Sequence, residues 1–184
     1  MIGVLLAGGL GRRLGGRPKA AIHVGGRPLA AYPAAALVAV CERVAFVAKA
    51  ATELPHLPGV ERWDEPDDPR HPVAGIIHAL ETAGQPVLVV AADMPYVTPD
   101  ACQSVLAGGG SAPAAVAVAA GVVQPLLAVY APRALDPLKA ALPDGRLTDM
   151  VEALAPGRVA VPPAIVRSVN TPDDLAEAEA ELSA

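Results

Sequence analysis

The chain opens on an apolar run, Ile2 to Ala7, that stops at Gly8-Gly9 and continues as Leu10-Gly11-Arg12-Arg13-Leu14-Gly15-Gly16-Arg17-Pro18-Lys19. Side chains apolar on both faces suit a strand buried between two layers, which is the habit of parallel sheets. Glycines directly after such a strand let the backbone turn tightly and approach a ligand with no Cβ in the way. Successive N–H groups in a loop of this kind form a concave anion site. Arg12, Arg13, Arg17 and Lys19 add full positive charge beside it. Strand, glycine turn and cations together suit a polyphosphate. The loop is not a P-loop, since no Gly-Lys-Ser/Thr closes it. Read as Gly9-Leu10-Gly11-Arg12-Arg13-Leu14, it also breaks the dinucleotide fingerprint at its last glycine. The bland alternative is a surface turn with solvated arginines.

Further along, strand-like and helix-like segments alternate. Arg43 to Ala48, Val60 to Arg62, Val87 to Ala92, Ala114 to Ala120 and Leu126 to Tyr130 read as strands, with short ones at Val159 to Val161 and Ile165 to Val169. Pro28 to Val40, Val73 to Ala83, Pro99 to Leu106, Arg133 to Leu142, Leu147 to Leu154 and Pro172 to Leu182 read as helices. Pro33 must kink the first of these or delay its start. Thr171 is placed to cap the last, whose positive end Asp173 and Asp174 favour. With no internal repeat and no linker, residues 1–184 are expected to form one three-layer α/β domain with a mainly parallel, doubly wound sheet. Ligands of such sheets sit at the carboxyl ends of strands where strand order reverses. The glycine loop follows one apolar strand and Asp93 another, so the two are expected to flank one crevice.

Composition narrows the partners. Hydrophobic residues make up 53% and aromatics only 3%, so the core must be built from Ala, Val, Leu and Ile. The formal net charge is −5 and the cations gather only in the first loop, which argues against a nucleic-acid partner. Cys41 and Cys102 read as free thiols, and no Cys-x-x-Cys or histidine cluster offers a zinc site. No basic segment precedes the first strand, and no run of about eighteen apolar residues is free enough of Pro and Gly to span a membrane. A cytoplasmic protein, with no membrane partner, is expected.

Asp93-Met94-Pro95 is the second strong signal. A carboxylate at the end of an apolar strand can hold Mg²⁺, which needs only one or two carboxylates besides phosphate oxygens and water; otherwise Asp93 is a cap. Asp64 opens an acidic, proline-broken loop, Asp64-Glu65-Pro66-Asp67-Asp68-Pro69. His71 and His78 are expected at the surface, and Lys49 near the ligand. Gln124-Pro125-Leu126 heads a strand, and Asn170 precedes the last helix, where a plain capping role is the alternative.

The pattern L-A-G-G-x-x-x-R-x-G-x-x-x-K, carried by Leu6-Ala7-Gly8-Gly9, Arg13, Gly15 and Lys19, resembles the signature loop of nucleotidyltransferases of the molybdenum cofactor guanylyltransferase kind. Asp93-Met94-Pro95, the spacing of Asp64 from Gly75, and Val169-Asn170-Thr171-Pro172 extend the resemblance over nearly the whole chain. It implies a Rossmann-like nucleotidyltransferase fold, with GTP as donor and the phosphate of molybdopterin as acceptor. It further implies that Leu6, Ala7, Gly8, Gly9, Arg13, Lys19, Asp64 and Asp93 bind the nucleotide. Arg13, Lys19 and Asp93 would be catalytic and Asp93 the Mg²⁺ ligand, with Gln124 and Asn170 on the acceptor or metal side. A monomer is expected. Departures are His71 where glycine is usual, Val73 where leucine is usual, and Ala48 where the family places an asparagine near the base. Alternatives are a cytidylyltransferase for the same cofactor, a guanylyltransferase for a cobamide precursor or phospholactate, and a nucleotide-binding protein without catalysis.

Overall fold

The structure, a computed structural model, describes residues 1–8, 10–142 and 145–183. Its strands are β1 (Ile2–Leu6), β2 (Leu10–Gly11), β3 (Arg17–Pro18), β4 (His23–Val24), β5 (Arg27–Pro28), β6 (Arg43–Lys49), β7 (Val60–Glu65), β8 (Val87–Ala91), β9 (Ala114–Ala119), β10 (Val122–Tyr130) and β11 (Gly157–Ala160). Its helices are α1 (Ala31–Val38), α2 (Pro72–Ala83), α3 (Pro99–Ala107), α4 (Leu135–Ala141), α5 (Leu147–Glu152) and α6 (Pro172–Leu182). Seven strands form one sheet in the order β11-β9-β10-β8-β1-β6-β7. All neighbours pair in parallel except β10, which runs antiparallel to both β8 and β9.

The apolar β1 lies between β6 and β8, with Leu6 level with Val47 on one side and Ala91 on the other. Alternate side chains of the strands serve two cores. Leu5, Phe46, Leu88, Val90 and Leu127 face α1 and α3 through Leu37 and Val105. Val4, Val47, Val89 and Tyr130 face α2, α4 and α5 through Ile76, Leu80, Leu138 and Val151. This is the three-layer, mainly parallel arrangement expected. The chain winds outward from β1 through β6 to β7, then returns to the far side of β1 as β8. Strand order therefore reverses between β1 and β8, at whose carboxyl ends the glycine loop and Asp93 lie.

Three local expectations are corrected. The first helix begins at Ala31, not Pro28, which closes β5. Pro33 is then its third residue, where the missing N–H breaks no helical hydrogen bond. Ile165 to Val169 is not a strand, since residues Pro163–Val166 form a 3₁₀ turn opened by Pro162 and Pro163, which cannot donate to a ladder. β7 runs on to Glu65, so Asp64 lies inside a strand and does not open a loop. At the carboxyl end of the chain, Thr171 caps α6 as the sequence suggests, and Asp174 completes a reciprocal capping box with it. Among the described residues no helix is long and apolar enough to cross a membrane.

Candidate active site

At the carboxyl ends of β8, β1, β6 and β7 the sheet opens into a cleft of about 680 Å³. Leu6, Ala7 and Gly8 form its floor. The loop after them projects as the small β2–β3 hairpin. Gly15 and Gly16 turn that hairpin in left-handed conformations, with φ of 78° and 74°, and Gly16 lines the cleft. Gly75 on α2 lets the helix close on the end of β1: a Cβ there would lie 2.8 Å from Leu6 Cδ2.

Lys19 starts a 3₁₀ turn whose next residue, Ala20, is buried, so its backbone is anchored while its long side chain reaches inward. Its Nζ donates to Asp93 Oδ2 at 2.8 Å and to Asn170 Oδ1. The Lys19 and Asp93 side chains are 16% and 21% exposed, so the pair is sheltered but reachable from the cleft. Two hydrogen bonds hold Asp93 and Asn170 in place. Val169 N–H donates to Asp93 O at 2.9 Å, and Asn170 N–H donates to Asp174 Oδ2 at 2.8 Å. Donation from the Asn170 N–H, joined by Thr171, holds the Asp174 carboxyl below its usual range.

Beyond Asp93 lies a second cavity of about 320 Å³. Gln124, Thr148, Ser168 and Asn170 supply its polar groups, and it shares Ala91, Asp93 and Leu126 with the cleft. Pro125 and Leu126 enter this wall at a bulge in β10, where a proline is tolerated. Tyr130 Oη donates to Pro125 O at 2.8 Å and fixes the bulge from below. Asp93 and Leu126 thus stand on the partition between two chambers.

At the opposite end of the cleft, Lys49 closes β6 and Glu65 closes β7, with Nζ and Oε1 3.6 Å apart. Lys49 also donates to Pro66 O and Pro69 O. Burial pushes the Glu65 carboxyl above its usual range. Arg70, His71, Thr52 and Glu53 complete this end.

Most of the residues expected at a site meet here. Leu6, Ala7, Gly8, Lys19 and Asp93 line the cleft, and Gln124 and Asn170 the adjoining cavity. Gly9 lies outside the described residues. Arg13 sits on the 3₁₀ turn after β2, exposed and outside the cleft lining. Asp64 does not line the cleft either: its Oδ1 accepts from Arg62 Nε at 2.6 Å on the outer face of the edge strand. Residues two apart in a strand share a face, so Arg62 takes Asp64 with it and Glu65 turns inward. That alternation was the signal available for Glu65, once β7 is known to continue past Arg62. Ala48 is fully buried in β6, so the position where an asparagine was expected has no access to the cleft. His71 is half-buried: its Nδ1 accepts from Val73 N–H at 3.2 Å and caps α2. That leaves Nε2 as the protonated nitrogen facing Gly145 O at 3.2 Å. Cys41 and Cys102 are free, with burial raising their thiols to about 11 and about 12.

The donor set suits a hard divalent cation. Asp93 Oδ2 and Asn170 Oδ1 are both oxygens, and they already converge on one cationic group, the Lys19 ammonium. No group of three or more His, Cys, Asp or Glu is placed to cage a metal among the described residues. Mg²⁺ does not need a cage, because phosphate oxygens and water complete its shell.

A family model described as the MobA-like NTP transferase domain matches residues 3–159. The chain is 34% identical over 196 residues to the molybdenum cofactor guanylyltransferase of Cereibacter sphaeroides, covering 99% of this chain and 97% of that one. A probable molybdenum cofactor guanylyltransferase of Natronomonas pharaonis is 34% identical over 201 residues, with 98% of each chain covered. Among solved structures, molybdopterin-guanine dinucleotide biosynthesis protein A of Archaeoglobus fulgidus superposes with a TM-score of 0.77 at 25% identity, over 100% of this chain and 99% of that one. The 2-C-methyl-D-erythritol 4-phosphate cytidylyltransferase of Thermus thermophilus shares the fold, with a TM-score of 0.74 at 23% identity over 99% and 98% of the two chains.

Proposed function

Because the chain belongs to the MobA-like NTP transferase family, we propose that it transfers GMP from GTP to the phosphate of a molybdopterin cofactor and releases pyrophosphate. The observation that carries this reading is the pair of chambers sharing Asp93, with Lys19 bonded to it. A transfer between two substrates needs two sites that meet at the reacting atom. Here they meet at the Lys19–Asp93 pair, which is placed to handle phosphate charge.

The nucleotide lies along the cleft with its phosphates at the Lys19 end. The loop amides after β1 and the Lys19 ammonium bind the triphosphate, and Arg13 approaches from the exposed rim of the loop. The Glu65 carboxylate would repel phosphate, so the other end takes the base. Asp93 follows β8 and Glu65 ends β7, three strand spacings away, or about 14 Å. Guanine presents two adjacent donors, N1–H and the N2 amine, which a carboxylate accepts together, whereas adenine and cytosine present an acceptor beside a single amine. Lys49, next to Glu65, can donate to the guanine O6.

The acceptor's phosphate enters from the second chamber. Its second pKa is about 6, so at neutral pH it is already the nucleophile and no general base is needed. One of its oxygens bonds to the α-phosphorus as the bond to the β-phosphate bridging oxygen breaks, and that oxygen leaves with pyrophosphate. Asp93 and Asn170 are the residues that would hold Mg²⁺, which when bound supplies charge neutralisation at the α-phosphate and the leaving group. Lys19 holds the same phosphates from the loop side. Catalysis is then alignment plus charge stabilisation.

The test is pyrophosphate release from each of the four nucleoside triphosphates with molybdopterin cofactor and Mg²⁺. Release with GTP alone is expected. Preference for CTP would make the protein a cytidylyltransferase, and release with no triphosphate would leave a nucleotide-binding protein without catalysis.

A further inference from the structure

Before nucleotide arrives, the seat between Asp93 and Asn170 is held by the protein's own ammonium. Lys19 Nζ lies 2.8 Å from Asp93 Oδ2 and bonds Asn170 Oδ1 as well. We propose that Lys19 is a placeholder for the divalent cation, so that metal is excluded from the free protein and enters only when a triphosphate draws the lysine away. The inference rests on the reading of the cleft as a nucleoside triphosphate site.

Four features support it. First, the seat offers a cation only one carboxylate and one amide oxygen. Mg²⁺ gives up water reluctantly and relies on phosphate oxygens for the rest of its shell. Second, an entering cation must break a sheltered ion pair, which is worth more than a fully solvated one because its partners are screened less by water. Third, Lys19 can move without the fold moving. Its backbone is fixed by the buried Ala20, while the ammonium rides on a flexible four-carbon stem. Fourth, the backbones that carry Asp93 and Asn170 stay in place when Lys19 leaves, since Val169 N–H holds the Asp93 backbone carbonyl and Asp174 holds the Asn170 backbone N–H. The seat is thus rigid and its occupant mobile. A triphosphate in the cleft offers Lys19 a more highly charged partner, and the same phosphates complete the metal's shell. Metal and nucleotide must therefore strengthen each other's binding by the same factor.

The experiment is Mn²⁺ titration followed by the electron paramagnetic resonance signal of the free ion, with no nucleotide present. Wild type is expected to bind Mn²⁺ weakly. Lys19→Met, which keeps the stem and loses the charge, should bind it about tenfold more tightly, the usual scale for loss of one charge-assisted hydrogen bond. Lys19→Gln is the second variant should methionine fail to fold, with circular dichroism as the check on both. Equal Mn²⁺ affinity in folded wild type and variant overturns the proposal. A measurement on the unmutated side chain stands beside these: lysines are dimethylated with ¹³C and the Lys19 resonance is followed by NMR. It should stay in place with Mg²⁺ alone and move when a non-hydrolysable GTP analogue is added with Mg²⁺. Movement with Mg²⁺ alone overturns the proposal. Failure of the analogue to bind would count against the nucleotide reading, whereas the Mn²⁺ comparison uses no nucleotide and still decides the role of Lys19.

Discussion

The cleft has a lysine–carboxylate pair at each end, and the two pairs are built differently. Lys19 and Asp93 are in direct contact at 2.8 Å, and Lys19 donates to one further side chain. Lys49 and Glu65 are 3.6 Å apart and more enclosed, with Glu65 only 8% exposed, and Lys49 is committed to the carbonyls of Pro66 and Pro69. The first pair joins two elements through side chains alone and can exchange partners. The second is tied into the backbone of the loop after β7 and keeps its geometry. A phosphate site needs charges that can regroup as the reaction proceeds. A base-reading site needs donors and acceptors that stay where they are, because discrimination comes from leaving the wrong base unpaired. Identical residue types thus serve opposite ends by differing in what else each lysine holds.

Substitution can test that contrast, and the largest effect is expected at Asp93. Asp93→Asn keeps the shape and loses the charge. Transfer should fall about a hundred- to a thousandfold, the scale for loss of one preorganised electrostatic contact. Nucleotide affinity should fall much less. Single-turnover transfer at saturating GTP reads the first and calorimetry the second. Near-normal transfer in the folded variant would reduce Asp93 to a structural role and erase the distinction between the ends.

Lys19→Ala comes next. Loss of a charge-assisted bond to phosphate should weaken GTP binding by roughly ten- to a hundredfold, from about 1.5–3 kcal/mol, and slow turnover as well. Unchanged kinetics would remove Lys19 from the site.

At the other end, Glu65→Gln should act on selectivity and leave chemistry alone. A bidentate contact to a base edge is worth about 1–3 kcal/mol of discrimination, so the preference for GTP over ATP should narrow by roughly tenfold or more. Inosine triphosphate, which lacks the N2 amine, should already lose part of that preference on wild type. A variant that loses turnover with its selectivity intact would mean the two ends are not separable.

The smallest effect concerns how the phosphate end is held. Asp174 is depressed in the folded protein by the N–H groups of Asn170 and Thr171. Its contribution to stability is therefore present above the ordinary carboxylate range and is lost as pH falls through the folded value. Thermal melts of wild type and Asp174→Asn should differ at neutral pH, and the gap should close as acid takes the pH below the folded value of Asp174. A gap that persists in acid would mean that something other than the charge anchors Asn170.

The ease with which each end could be read from sequence follows the same division. The phosphate end is written in short local patterns. A strand, its glycines and Lys19 are contiguous, Asp93 follows an apolar run at once, and Asn170 precedes a capped helix. The base end depends on which way a short edge strand faces. Whether Asp64 or Glu65 turns inward is settled by how far β7 extends and by Arg62 pairing with Asp64 along the outer face. Neither is visible in a stretch broken by prolines and carrying five acidic residues between Glu61 and Asp68. Ala48 misleads for a related reason. The strand carrying it runs one residue further, to Lys49, so what reads as the strand's last residue is core. The winding of the sheet was legible because buried parallel strands are apolar throughout. The antiparallel insertion of β10 was not, since it depends on pairing partners distant in sequence.

The shared wall of Asp93 and Leu126 bears on how the reaction ends. On the proposed reading each substrate holds to one chamber, whereas the product lies across the partition as a single molecule gripped at both ends. When either half lets go, the other keeps it close, at an effective concentration far above that in solution. On the proposed reading the product is therefore held longer than either substrate on its own.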